Sequence, residues 1–94
     1  MLTATATDGT RLSWWAAGDA AAPPVVLAHA LGLSHAMWDA QVAALAVHHR
    51  VIRYDARGHG ASDVPPGPYG VAMLAGEALA VMYAAVIERS AYDG

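Results

Sequence analysis

The 94-residue sequence contains no cysteine and no lysine. Without cysteine it forms neither a disulfide framework nor a Cys-based zinc site. Its five basic residues are all arginine, scattered from Arg11 to Arg89, and the formal net charge is -3. No basic patch or stripe exists, so nucleic-acid binding lacks its electrostatic footprint. Charged residues make up only 14% of the chain against 56% hydrophobic ones, which excludes a disordered tail. The five histidines do not show helical zinc-site spacing, and His48-His49 is an adjacent pair. No metal and no cofactor is expected. The N-terminus, MLTATATDGT, has no basic region followed by an apolar one, so no secretion signal is read. No uninterrupted apolar run reaches the roughly 18 residues that span a bilayer. The expectation is a soluble cytoplasmic protein without membrane partners. Residues 1–94 form one domain at most, apolar enough to be a piece of a larger core.

What is present alternates between two periodicities. Leu2 to Thr7 and Thr10 to Trp15 are β-forming runs around Asp8-Gly9, which predicts an antiparallel hairpin. One of Trp14 and Trp15 then faces inward and the other outward. After Gly18 to Pro24, the short apolar run Val25 to Ala28 reads as a buried strand. Ser34 is the expected N-cap of a helix over His35 to Val47, with Trp38, Val42 and Leu45 on one face and Asp39 suiting the helix dipole. Val51 to Tyr54 is the next strand. Asp55 to Gly70 is too rich in glycine and proline to be regular. A second helix is predicted from Val71 to Val86, burying Leu74, Ala78, Val81, Met82 and Ala85. Ser90 to Asp93 is read as the start of a further strand. Strands alternating with helices imply parallel pairing with crossovers, so the fold class is α/β.

In open parallel sheets, ligands sit beyond the carboxyl ends of the strands. Two loops leave such ends here. One is His29-Ala30-Leu31-Gly32-Leu33 and the other runs from Asp55 to Asp63. Neither is a nucleotide site. The first has a single glycine, Gly58-His59-Gly60 lacks a third glycine at Asp63, and a phosphate loop needs a lysine.

The two loops together resemble the α/β-hydrolase superfamily. His29-x-x-Gly32 is similar to its oxyanion-hole loop, and Asp55-x-Arg57-Gly58-x-Gly60-x-Ser62 to its loop after the next strand. The wider stretch MWDAQVAAL...VIRYDARGHGASDVPPGPYG is similar to bacterial 3-oxoadipate enol-lactonases. The resemblance implies a partial hydrolase sheet: an antiparallel hairpin, then parallel strands with crossover helices. It implies a small-molecule ester or lactone substrate. It also implies a Ser nucleophile in a G-x-S-x-G elbow after the fifth strand, with Asp and His later in the chain. Aligned on Ile87-Glu88-Arg89, Gly94 falls on the first glycine of that elbow. The triad is then expected beyond Gly94, so the chain is read as truncated and inactive alone.

One part of the machinery is expected here. The resemblance makes the Leu31 backbone N–H an oxyanion donor. His29, Gly32, Asp55, Arg57, Gly58, Gly60 and Ser62 are expected to shape the two loops, and Trp38 to form a pocket wall. The competing readings are weaker. His29 as a general base gives way to the loop-shaping role the resemblance implies, and Asp55–Arg57 as a catalytic pair to Arg57 tying the loop down through hydrogen bonds and charge. Ser34 and Ser62 as nucleophiles sit in no elbow motif. His59 is read as a surface or packing residue.

Several positions depart from the family. Ala30 replaces a glycine or small polar residue, Gly76 lies inside the second helix, and Val86 stands where a helix-ending glycine is expected. Tyr83 and Asp93 replace an Asp and an apolar strand residue. With a weak fifth strand, Val25 to Ala28 is left at or near a sheet edge, which favours self-association. The rival to a hydrolase piece is an interaction module that pairs through this edge.

Overall fold

A computed structural model describes residues 1–67 and 69–93, with residues 90–93 described by their backbone. The N-terminal strands β1 (Leu2–Thr5) and β2 (Arg11–Ala17) pair antiparallel, with Leu2 opposite Trp14. Their connection is longer than the two residues Asp8-Gly9. Gly9 takes the left-handed φ of 88°, while Ala6 and Thr10 close the turn through a 2.9 Å backbone bond. The Asp8 carboxylate accepts from the Thr10 N–H, giving the turn its own polar lock.

Strand β3 (Pro24–Leu27) and strand β4 (Arg50–Tyr54) pair in parallel, Val25 opposite Val51. Strand β2 pairs antiparallel with β4, so the sheet order is β1-β2-β4-β3. The β3 strand therefore lies at an edge. Between β3 and β4 the chain crosses over through a 3-10 turn, His35–Trp38, and a short helix α1 (Asp39–Leu45). Ser34 caps this segment, its hydroxyl accepting from the Ala36 N–H.

The single helix expected over His35 to Val47 is thus two pieces and ends earlier. Its first turn is held elsewhere: the His35 N–H donates to Asp55 and the Trp38 indole to the Ala28 carbonyl. A first-turn N–H has no intrahelical partner, so the Asp55 bond satisfies it, and a 3-10 turn at a helix start is common.

The long helix α2 runs from Val71 to Asp93. This overturns the strand expected at Ser90 to Asp93 and the helix end expected at Val86. A β-branched residue resists the left-handed cap, and among the described residues no non-glycine residue has positive φ. The helix therefore continues. Gly94, the expected first glycine of the elbow, and Pro68 lie outside the described residues.

Helix α2 covers one face of the sheet. Val81 and Ala85 pack with Ala4, Leu12, Trp14, Ile52 and Tyr54 in the core. Trp14 is buried and Trp15 half-buried on the other face, where it stacks on His35 at 3.5 Å. Arg53, also on that face, reaches the His35 carbonyl and Asp39. Helices thus lie on both faces, as parallel strands require. Arg50 ties the start of β4 to α2 through Glu88 at 3.1 Å.

Much of α2 stays uncovered. Met82, expected in the buried stripe, is exposed, as are Val71, Leu79, Tyr83, Val86 and Ile87. By length and composition, Val71–Arg89 is long and apolar enough to cross a membrane. The one charge between Val71 and Ile87, Glu77, is fully buried against the loop after β4. A helix apolar all round keeps apolar side chains exposed wherever only one of its faces is fixed on a sheet.

Candidate functional site

The parallel register sets Leu27 opposite Arg53. Both strands therefore run the same way, and the loops that follow them emerge at one end of the sheet. His29 to Leu33 and Asp55 to Asp63 lie side by side there, with the His29 and His59 rings 4.9 Å apart.

The second loop is built around two buried carboxylates. Asp55 is fully buried, and its carboxylate accepts from the His35 N–H at 2.7 Å, the His35 Nδ1 at 2.9 Å and the Ala61 N–H at 2.9 Å. Burial pushes its pKa up, but the His35 and Ala61 amides and the His35 ring outweigh that and hold it below the ordinary value. Gly60 makes this approach possible. It has a φ of +49°, and a Cβ there would meet Asp55 Oδ2 at 2.1 Å.

Arg57 is buried with Glu77 of α2. The Glu77 carboxylate accepts from the Arg57 N–H at 3.1 Å and from its guanidinium Nε. The guanidinium also donates to Asp8 at 2.8 Å and lies 5.9 Å from the Tyr69 ring centre. Hydrogen bonds to Asp8 and Glu77 raise the Arg57 pKa. The Arg57 bond, first among its causes, draws the Asp8 carboxyl well below the usual carboxylate range.

Ser62 is committed as well. Its hydroxyl donates to the Asp55 carbonyl at 2.5 Å and accepts from the Ser13 N–H at 2.8 Å. Arg11 and Asp63 exchange backbone and side-chain bonds beside it. The loop is thereby laced along β2.

In the first loop, Gly32 turns the chain with a φ of +82°. Leu31 is 75% exposed, and its N–H makes no hydrogen bond among the described residues. His29 accepts from the Ala56 N–H at 2.9 Å, and His59 accepts from the Gly32 N–H at 2.9 Å. His59 is therefore no mere surface or packing residue, because it bonds the other loop.

Trp38 is half-buried, and two cavities among the described residues are lined by other side chains. One of these, about 270 Å³, lies between β3 and α2 and is lined by Pro24, Val26, Ile52, Met82 and Ala85 among others. The described residues include no group of three His, Asp or Glu side chains able to hold a metal.

Sequence reasoning missed Glu77, Asp8, Ser13 and His35 as loop partners. Glu77 had a signal: it is the one charge between Val71 and Ile87. A buried charge on an apolar helix requires a partner. The others had none, since their bonds span long stretches of chain.

A family model described as the alpha/beta hydrolase fold matches residues 23–89. The chain belongs to the α/β-hydrolase fold family. Among curated α/β-hydrolase relatives, 3-oxoadipate enol-lactonase 2 of Acinetobacter baylyi is 35% identical over 92 residues, covering 98% of this chain and 34% of the relative. Enol-lactonase 1 of the same organism is 49% identical over 57 residues, covering 61% of this chain and 21% of the relative. A solved enol-lactonase from Burkholderia xenovorans LB400 superposes with a TM-score of 0.83 at 44% identity, over 87% of this chain and 32% of that one. A hydrolase from Pseudomonas aeruginosa PA01 gives 0.85 at 46%, over 88% and 31%. This α/β-hydrolase chain thus spans about a third or less of the relatives it matches.

Proposed function

We propose that this chain is the N-terminal part of an ester or lactone hydrolase of the enol-lactonase type, carrying its oxyanion-hole loop. In this reading the Leu31 N–H is one donor to the oxyanion that develops when a nucleophile attacks the substrate carbonyl. In this reading the Ser-Asp-His triad lies in the two thirds of the relatives that this chain does not span. Alone, the chain is inactive, because nucleophile and base act as a unit. No cofactor or metal enters the scheme.

The supporting observation is the unpaired Leu31 amide on a loop held against its neighbour at the carboxyl ends of β3 and β4. Ser62 is a poor rival nucleophile, since its hydroxyl proton already goes to the Asp55 carbonyl.

The test is a chimera in which this chain replaces the matched segment of A. baylyi enol-lactonase 2. It is expected to hydrolyse the lactone. Leu31→Pro, which removes the N–H, should lower kcat by about 10²–10³, while Leu31→Ala should not. Undiminished turnover by the proline variant overturns the assignment. So does hydrolysis of p-nitrophenyl acetate by the chain alone that disappears on Ser62→Ala.

A second reading has its own observation. The edge strand β3 and the apolar cavity beside it present an unpaired backbone next to exposed apolar side chains of α2. Such an edge recruits another strand, so the isolated chain would self-associate or pair with a partner chain there.

A further inference from the structure

His29 and His59 belong to different loops, and each holds the backbone of the other. His29 Nε2 lies 2.9 Å from the Ala56 N, and His59 Nε2 lies 2.9 Å from the Gly32 N. A backbone N–H only donates, so each Nε2 must offer a lone pair. At the other ring nitrogen, His29 Nδ1 is 2.8 Å from the Ala30 carbonyl and His59 Nδ1 is 2.9 Å from the Arg57 carbonyl. A carbonyl only accepts, so each Nδ1 carries the proton. Both rings are therefore neutral and share one tautomer.

The bonds converge on a single residue. The Ala30 carbonyl and the Leu31 N–H are opposite ends of one planar peptide. Its carbonyl end accepts from His29 and from the Leu33 N–H at 3.1 Å. The next peptide, ending in the Gly32 N–H, is held by His59. Leu31 is thus pinned through both flanking peptide planes. The Ala30 N–H before it donates to Met37 Sδ at 3.2 Å, while the Leu31 side chain is exposed and the glycine that follows is the least restricted residue type. Bonds accepted at the carbonyl also polarise the N–H at the far end of the same peptide.

We propose that His59 is a positioning residue which, with His29, aims the Leu31 N–H and keeps it free to donate. The proposal deepens the reading of Leu31 as an oxyanion donor and rests on it.

NMR of the full chain tests it. The His59 ring is expected to show a protonated Nδ1 and an unprotonated, hydrogen-bonded Nε2 at neutral pH. His59→Leu should speed Gly32 amide exchange by about tenfold and change the Leu31 N–H residual dipolar coupling. His59→Gln, whose Oε1 can replace Nε2 as acceptor, should restore both. An Nε2-protonated His59, or Gly32 protection unchanged by His59→Leu, overturns the proposal. Where His59→Leu loses its dispersed spectrum, the ring tautomer and His59→Gln decide: loss of Gly32 protection in that folded variant also overturns it. These readouts concern ring and amide nitrogens, whereas the donor role of Leu31 is read on kcat in the chimera. Either can fail while the other stands.

Discussion

Arg57 and Glu77 meet inside the protein, where one carboxylate takes both the backbone N–H and the guanidinium Nε of the arginine. The pair joins the loop after β4 to the middle of α2. Both side chains are almost wholly shielded from solvent. Removing one leaves the other charged and buried, so Glu77→Ala is expected to cost about 3–5 kcal/mol. Replacing both residues with apolar ones of similar volume should cost less than either single change. Denaturant unfolding followed by circular dichroism checks the order.

Asp55 gives the fold an acid limit. Burial raises its pKa, yet the His35 and Ala61 bonds outweigh burial and hold the folded value below the ordinary 3.8. A lowered carboxyl contributes stability that is full above the unfolded value and lost as pH falls through the folded one. Stability should therefore drop below about pH 4. Asp55→Asn should flatten that drop and destabilise the chain near neutrality by about 2 kcal/mol or more, since bonds to a charged acceptor are lost. Thermal melts across acidic pH read both effects.

Two glycines with positive φ separate backbone strain from steric contact. A methyl group added at Gly9 would meet open space, whereas one added at Gly60 would collide with Asp55. Gly9→Ala should cost about 1 kcal/mol through the left-handed backbone alone. Gly60→Ala should cost about 2–4 kcal/mol, because the buried carboxylate must also move. Equal costs in a melt would contradict the packing around Asp55.

The open β3 edge should make the isolated chain associate as its concentration rises. Sedimentation velocity is expected to show species larger than a monomer, and Val25→Lys should reduce them by placing a charge in the edge strand. A cooperative melt from a monomer at every concentration would remove this expectation.

Most of the architecture was legible because it is written in local periodicity. The hairpin around Gly9, the strands expected at Val25 to Ala28 and Val51 to Tyr54 and found at Pro24–Leu27 and Arg50–Tyr54, and the Ser34 cap each follow from short-range rules. Errors fell where those rules leave an element's form or end open. The turn at His35 to Trp38 is held by Asp55 and Ala28 rather than by helical bonds alone. The end of α2 was misplaced because a glycine expected at Val86 is absent, and nothing local replaces its stop.

The sequence by itself determined the class of fold, the two loops that matter and the residue types within them, since alternation, helical spacing and glycine content act over a few residues. Only the tertiary structure decided who bonds whom: Glu77 with Arg57, Asp55 with His35, and His59 with Gly32. Those partners lie 20 to 27 positions apart. No local pattern encodes such a meeting, because it exists only after parallel pairing of β3 and β4 has carried both loops to one end of the sheet.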